Sequence, residues 1–206
     1  MTQNSKLTDM HRRNRGASLL EVVITMMVIM VITAIAIVQL KPSLRNARTD
    51  TAMRQVVDQL RQAREYAISN RRYVQITFPI VAGQYEVQMT QLNTLTPGGG
   101  AVNPVLSTVA LEAPLQFTVF PAKGDTPDAY GNSASIVFGG INGGPPTGMY
   151  FQSDGELVNG ATFLPINGTV FIGVPGDTST ARAVTIMGTT GRVRGWNGAG
   201  TVWKQF

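Results

Sequence analysis

A single apolar stretch near the N-terminus constrains this chain more than any other feature of its sequence. Residues 17–40 contain one charged side chain, Glu21. Because an α-helix rises about 1.5 Å per residue, these 24 residues are enough to cross a hydrocarbon core of about 30 Å. A helix of a soluble protein is expected to show a polar face, whereas this stretch has only five scattered polar residues. The stretch therefore predicts one transmembrane helix.

The residues that precede the apolar stretch are basic. Residues 1–16 carry four Lys and Arg side chains and one acidic residue, Asp9. Lys and Arg near the first helix are retained on the cytoplasmic side, so we expect a single pass with the N-terminus in the cytoplasm and the rest of the chain on the far side. The alternative is a secretory signal peptide cleaved after Ala36, although its apolar region would exceed the usual ~7 to 15 residues.

Glu21 is the most informative residue of the apolar stretch. A carboxylate inside a membrane costs roughly 2.5 to 3.5 kcal/mol on insertion scales, so it is normally paired or functional, unless it reaches the interface from near a helix end. The segment 15–21, RGASLLE, lies between the basic leader and the apolar run. It resembles the N-terminal signal of type IV prepilins and type II secretion pseudopilins. The resemblance implies that a prepilin peptidase cleaves between Gly16 and Ala17.

The same resemblance implies how Glu21 acts. In filaments of this family the carboxylate of one subunit meets the new N-terminal amine of a neighbour, here that of Ala17, so that two opposite charges compensate each other in lipid. The first mature residue of the family is most often Phe and is N-methylated, whereas this chain has Ala17. The implied organisation is a cleaved leader at 1–16 and a helix at 17–40 that spans the inner membrane, with the head in the periplasm.

A second helical segment is predicted for residues 41–72. Apolar residues recur there at spacings of three and four, which is typical of an amphipathic helix. They are Met53, Val56, Val57, Leu60, Ala63 and Ala67. Oppositely charged pairs four residues apart predict a solvated face with local salt bridges. They are Asp50 with Arg54, Arg54 with Asp58, and Arg61 with Glu65. Pro42 lacks a backbone N–H and is expected to kink or interrupt the helix.

Residues 73–206 are expected to form a β-rich head, because short alternating segments are separated there by turn residues. The candidate strands are 74–78 and 85–89, which form a hairpin, and then 115–120, 135–138, 149–151, 169–174 and 183–187. Two glycine-rich segments, 96–100 and 139–146, are expected to be loops, and the second matches no phosphate-binding motif. The predicted fold class is α+β, with a long N-terminal helix, first transmembrane and then amphipathic, followed by a mostly antiparallel head.

The composition argues against an enzyme. The chain has no Cys, and its single His, His11, lies in the leader. These side chains most often carry nucleophilic, acid–base and metal chemistry, so the sequence predicts neither catalysis nor a cofactor. Four carboxylates of the head could offer oxygens to Ca²⁺ but lack the spacing of an EF-hand, so no metal site is predicted. They are Asp125, Asp128, Asp154 and Glu156.

Three further segments indicate a more specific group within this family. Residues 60–68 (LRQAREYAI), 151–155 (FQSDG) and 186–194 (IMGTTGRVR) resemble the GspH/FimT group of minor pseudopilins and minor pilins. The resemblance implies a pilin-like fold and a role as a minor pseudopilin of a type II secretion system, assembled through its N-terminal helix for protein export. The implied partners are a prepilin peptidase, other pseudopilins or minor pilins in a filament, and the inner membrane.

A second function stays open because of the C-terminal segment. Some FimT-type members of the group bind DNA for uptake in natural transformation through a G-R-x-R motif, which Arg192 and Arg194 match. Trp196 and Trp203 lie close by and could stack on bases. The alternative is a final hairpin with the arginines outward and the tryptophans in the core. The sequence favours this hairpin, and hence the secretion role over that of a type IV pilus minor pilin with DNA as its partner.

Overall fold

One α-helix, α1, runs from Leu19 to Asn70. The structure, a computed structural model, describes residues 18–92, 104–198, 200 and 202–206. Pro42 lies inside α1 and the residues on both sides of it are helical, so the predicted interruption of the helix is wrong. Proline removes one backbone hydrogen bond, but its fixed φ of about −65° is itself a helical value. The chain divides into two compact units at the bond between Pro42 and Ser43.

The part of α1 in the first unit is apolar and exposed. An 18-residue window of the helix has a mean hydropathy of 2.7 and no buried residue. Large apolar side chains there are between 40% exposed, at Val23, and 82% exposed, at Leu19. Apolar surface in water costs about 25 cal/mol per Å² relative to an apolar environment, so this surface suits lipid. Within the described residues, α1 is the one helix long and apolar enough to cross a membrane.

Among the described residues, the second unit combines the rest of α1 with thirteen strands. The strands are β1 (Val74–Thr77), β2 (Ile80–Val81), β3 (Gln84–Gln91), β4 (Val105–Ala110), β5 (Gln116–Phe117), β6 (Ile136–Phe138), β7 (Ile141–Asn142), β8 (Met149–Phe151), β9 (Leu157–Asn159), β10 (Gly168–Gly173), β11 (Arg182–Met187), β12 (Arg192–Asn197) and β13 (Lys204–Gln205). One sheet has the order β2-β3-β1-β8-β9, with β4 also paired to β3. The other has the order β13-β12-β11-β10-β6-β7, with β5 also paired to β10. Because every pairing is antiparallel, the predicted α+β class with a mostly antiparallel head is confirmed.

The apolar face predicted for the second half of α1 is confirmed. All six of its positions are buried in the core: Met53, Val56, Val57, Leu60, Ala63 and Ala67. Leu60 borders a small enclosed space together with residues of both sheets: Ile76, Phe138, Met149, Leu157 and Ile186. One hydrophobic cluster thus joins the helix to both sheets. This helix face is what holds the head together around α1.

Most of the predicted strands are present. The predicted hairpin forms between β1 and β3, with Val74 opposite Gln91. The strands β6, β8, β10 and β11 lie within one residue of their predicted bounds. The strand predicted at 115–120 is only two residues long, although Leu115 and Phe120 are buried there. Burial therefore explains the apolar pattern of that segment without a long strand.

The two glycine-rich segments predicted to be loops have different outcomes. The segment 139–146 contains the short strand β7, so the prediction of an irregular loop is wrong there. Gly139 and Gly140 have φ values of 59° and 75° and connect β6 to β7. Positive φ at both central residues is what a tight two-residue hairpin turn requires. The segment 96–100 lies outside the described residues.

Candidate functional site

The N-terminal motif places a carboxylate on the exposed surface of the apolar helix. Glu21 lies in the first turn of α1, and the Val22 N–H donates to the Ser18 carbonyl at 3.1 Å. The partial positive charge of a helix N-terminus stabilises a carboxylate in that turn. No described Lys or Arg pairs with Glu21, and the predicted cleavage site, Gly16 and Ala17, lies outside the described residues. If the segment is in lipid, its compensating charge comes from another group.

The three segments that resemble the GspH/FimT group meet at one point of the head. Arg64 of α1 donates through Nε to the carbonyl of Gly155 at 3.3 Å. Gly191 has a φ of 60°, and a Cβ there would lie 2.0 Å from the Gly155 carbonyl oxygen and 2.7 Å from the Arg64 Cδ. Only a residue without a side chain fits this contact. The glycine of the G-R-x-R motif is therefore needed for docking the β11-β12 turn onto the helix.

The strand β12 presents different residues to its two sides. A Cβ at Gly195 would lie 3.2 Å from the sulfur of Met53, so this strand passes close to α1. Val193, two residues earlier, is buried in the same core. Successive side chains of a strand point to opposite faces, which places Arg194 and Trp196 on the face away from the helix.

Arg194 belongs to a hydrogen-bond network on that outer face. Its Nη1 donates to Asp128 Oδ1 at 2.9 Å. The other carboxylate oxygen of Asp128 accepts from the Thr185 hydroxyl at 2.6 Å, and Thr185 in turn accepts from the indole N–H of Trp196 at 2.8 Å. Arg194 therefore holds the loop of Asp128 against the sheet. It is not a free cation, in contrast to the expectation for a DNA contact.

The two tryptophans are core residues. Trp196 is 5% exposed and Trp203 is 7% exposed, in a cluster with Phe120 and Phe171. The Trp203 indole N–H donates to the Gly124 carbonyl at 2.9 Å. With β13 paired to β12, this is the final hairpin with buried tryptophans that the sequence favours. The rings are not available for base stacking.

A buried lysine holds the end of this hairpin, and no pattern in the sequence predicts this role. Lys123 is 6% exposed, and its ammonium donates to the carbonyls of Gly198 and Gly200. It also lies 5.8 Å from the centre of the Trp203 ring. Burial, and secondarily the positive charge of Arg182, lowers the pKa of Lys123. Two carbonyls and a ring thus compensate a cation that the core would otherwise exclude.

The three ion pairs predicted along α1 are absent from the described residues. Asp50 instead accepts from Nε of Arg182 at 2.5 Å, and Arg182 is only 3% exposed. The guanidinium of Arg54 lies 4.6 Å from the ring centre of Phe206. Exposed pairs four residues apart are worth only ~0.2 to 0.5 kcal/mol, so partners from the head displace them. The predicted solvated face is therefore in part a docking face, which no local spacing could reveal.

Arg61 and Arg192 border the same concave surface. A groove of about 370 Å³ lies between α1 and the β11-β12 turn. We call it the arginine groove, and its lining residues are Arg61, Arg64, Glu65, Thr190, Gly191, Arg192 and Val193. Arg192 is exposed and donates only weakly, to the sulfur of Met187 at 3.7 Å. The structure thus separates the motif arginines, because Arg192 lines an open groove whereas Arg194 is internally paired.

Comparison with known proteins bears on the N-terminal motif. The family model described as the prokaryotic N-terminal methylation motif matches residues 11–37. The chain carries a prokaryotic N-terminal methylation motif. The resemblance of the leader and apolar helix to prepilin-type signals is thereby confirmed, and it indicates membrane anchoring. No curated protein matches the chain in a sequence comparison.

Solved structures that are similar to this chain include a minor pseudopilin and a type IV minor pilin. The minor pseudopilin EpsH from the type 2 secretion system of Vibrio cholerae is 14% identical, with a TM-score of 0.47 over 73% of this chain and 97% of that chain. The type IV minor pilin FimU of Pseudomonas aeruginosa is 16% identical, with a TM-score of 0.43 over 71% of this chain and 90% of that chain.

Three of the four carboxylates considered for calcium, those of Asp125, Asp128 and Asp154, accept other hydrogen bonds. Asp125 accepts from the backbone N–H groups of Thr126 and Gly131 at 2.7 and 2.8 Å. Asp154 accepts from the Glu156 N–H at 3.0 Å, which is typical of a turn. In the part of the chain that the structure describes, no three acidic or His side chains form a group suited to a metal ion.

Proposed function

We propose that this chain is a non-enzymatic subunit of a pilus-like filament and, more specifically, a minor pseudopilin of a type II secretion system. The observation that carries the proposal is the methylation motif at 11–37, which leads into an exposed apolar helix with Glu21 in its first turn. In this role a prepilin peptidase removes residues 1–16. The helix crosses the inner membrane once, the N-terminus is cytoplasmic and the head is periplasmic.

The proposed mechanism is mechanical. Cleavage after Gly16 creates an ammonium group on Ala17, about one helical turn from Glu21. In a filament the carboxylate of Glu21 pairs with that ammonium on a neighbouring subunit, which removes two isolated charges from the apolar interior. The apolar side chains between them then pack against those of adjacent helices. Assembly through the helix leaves the head on the outside, free to contact other minor subunits or exported protein.

Processing by the peptidase is the direct test of this proposal. Co-expression of the full chain with a prepilin peptidase should give an intact mass that lacks residues 1–16. Replacing Gly16 by Trp should prevent cleavage, because a bulky side chain replaces the smallest one at the site. The matched control is Ala36→Leu, which blocks only the alternative cleavage site. A mature chain that begins at Ile37 would establish a signal peptide and refute the proposal.

A second candidate function, DNA uptake by a type IV pilus minor pilin, is favoured by one observation. Arg192 of the G-R-x-R motif is exposed and shares a groove with Arg61 and Arg64. If the groove binds phosphates, duplex DNA should bind the full chain in neutral detergent micelles with a steep salt dependence, about −0.9 in log K against log salt for each phosphate neutralised. We expect weak binding that Arg192→Ala and the control Arg54→Ala reduce equally. Loss with Arg192→Ala alone would promote DNA uptake over secretion.

A further inference from the structure

The arginine groove is a charged surface to which the proposed filament role assigns no function. Its lining includes Arg61, Arg64 and Arg192, and none of these residues forms an ion pair with a described carboxylate. Glu65 lines the same groove and is equally unpaired among the described residues. Three positive charges against one negative charge on a concave surface give a local positive potential that attracts anions.

The groove is supported by packed elements. Arg61 and Arg64 are one helical turn apart on α1, which the core holds through Leu60 and Ala63. Nη2 of Arg61 contacts the Val193 carbonyl at 3.5 Å, and Nε of Arg64 donates to the Gly155 carbonyl at 3.3 Å. Within the part of the head that the structure describes, both contacts leave other N–H donors of each guanidinium unused. The groove is thus partly preorganised for a ligand, which lowers the entropic cost of binding.

We infer that the arginine groove binds a carboxylate-bearing segment of another subunit. The inference rests on the proposed filament role and adds the chemistry of the partner. Guanidinium groups bind carboxylates through two parallel N–H···O bonds, and these charge-assisted bonds are roughly twice as strong as neutral ones. An Asp or Glu side chain on a projecting loop fits a groove whose lining includes Arg61, Arg64 and Arg192.

The surroundings favour a protein carboxylate over nucleic acid. A DNA duplex carries one charge per ~1.7 Å and is held by an extended row of cations. Here Arg194 is paired with Asp128, the tryptophans are buried, and Glu65 adds a negative charge to the groove wall. That arrangement suits a single short acidic segment better than a continuous phosphate backbone.

The test uses the full chain in neutral detergent micelles and a fluorescein-labelled peptide of alternating Glu and Gly. Fluorescence polarisation should show binding of this peptide and none of a Gln and Gly peptide. The double variant Arg61→Ala with Arg192→Ala should weaken binding roughly tenfold or more, since two bidentate pairs are lost. The double variant Arg61→Lys with Arg192→Lys keeps both positive charges but loses the planar guanidinium groups and their paired N–H donors. Its binding should therefore fall by less than that of the alanine double variant.

The matched control removes the same charge from elsewhere on the helix, with Arg48→Ala and Arg54→Ala together. Because these side chains lie outside the arginine groove, binding should change less than twofold. Equal losses in both double variants, or no binding of the acidic peptide, would overturn the inference. Tighter binding of a duplex DNA with the same dependence on Arg61 and Arg192 would also overturn it in favour of nucleic acid.

Recovery in sheared filaments separates this inference from the proposed function. If the wild type is recovered with the filaments but the peptide fails to bind, the function stands and the groove assignment is wrong. If the peptide binds through the groove but the chain never enters filaments, the filament role is wrong and with it the assignment of the partner as another subunit.

Discussion

Two arginines of one short motif have opposite roles in this protein. Arg194 makes an ion pair with Asp128, whose side chain is 12% exposed, whereas Arg192 lines an open groove. The difference arises from what covers each part of the sheet. The loop of Asp128 lies over the middle of the outer face, where Thr185 and Trp196 complete the network. A motif match alone therefore assigns the same role to side chains that the fold uses differently.

The first prediction separates these two arginines by stability. Arg194→Ala should lower the free energy of unfolding by about 1 to 2 kcal/mol, because the partly buried Asp128 loses a charged hydrogen-bond partner. Arg192→Ala should change it by no more than about 0.5 kcal/mol, as for other exposed side chains. Urea unfolding of the full chain in detergent micelles can be followed by the fluorescence of Trp196 and Trp203. Equal effects of the two substitutions would show that the network contributes nothing.

The second prediction concerns Lys123 and alkaline pH. Burial and the charge of Arg182 lower its pKa in the folded state from the ordinary value of 10.5. Between the lowered pKa and 10.5 the unfolded chain binds more protons than the folded chain, so this group makes the free energy of unfolding rise with pH. Below the lowered pKa both states are protonated and the contribution is constant. The measurement is the difference in unfolding free energy between the wild type and Lys123→Met from neutral pH to pH 10.5. A difference that falls with pH would contradict the prediction.

At the scale of secondary-structure elements, the head depends on how α1 docks against the sheets. Two glycines, Gly155 and Gly191, let their turns approach Arg64 closely. A buried arginine, Arg182, reaches Asp50 from the second sheet. Both contacts join residues that are about 90 to 130 positions apart in the chain. The part of α1 that begins at Ser43 is thus an integral part of the head.

The third prediction tests the close approach at the helix. Gly191→Ala should destabilise the protein by about 3 kcal/mol, because the new Cβ overlaps the Gly155 carbonyl oxygen as well as straining the backbone. The control is Gly83→Ala, at a φ of 83° with no atom within 4 Å of the added Cβ. It should cost only the backbone strain, about 1 to 2 kcal/mol. The same urea titration measures both, and a Gly83 effect as large as that of Gly191 would exclude the steric explanation.

In this chain, secondary-structure elements are predicted from the sequence more successfully than tertiary contacts. The helix face and the hairpin of β1 and β3 follow from periodicity, which depends on neighbours within a few residues. The six-residue strand β4 and the two-residue strand β7 escape prediction because pairing with adjacent strands, and not local pattern, defines them. The pairing of Asp50 with Arg182, instead of Arg54, is likewise set by tertiary structure. At the candidate sites, Glu21 is visible as one charge in an apolar run, whereas Lys123 and the arginine groove have no local signal.

At the scale of the whole molecule, the exposed apolar surface and the packed core lie in different units. Residues up to Pro42 expose an apolar surface suited to lipid, and the unit that begins at Ser43 carries the packed core and the groove. Glu21 is the one charge of the described residues before Lys41. A charge placed there is costly for insertion alone. Its presence is explained if assembly, and not insertion, requires it.

The fourth prediction concerns this contrast between the cost of Glu21 for insertion and its proposed use in assembly. Glu21→Ala should insert into the membrane at least as well as the wild type, because it removes a cost of roughly 2.5 to 3.5 kcal/mol on insertion scales. It should nevertheless be recovered less in sheared filaments, since the ammonium of Ala17 on a neighbouring subunit loses its partner.

Glu21→Gln serves as the control that keeps the size and polarity but not the charge, and it should resemble Glu21→Ala if pairing is electrostatic. Membrane fractions and sheared filaments from the same cells are compared by quantitative immunoblot. If all three proteins are recovered equally in the filaments, Glu21 merely extends its carboxylate to the membrane interface, and the pairing mechanism is wrong.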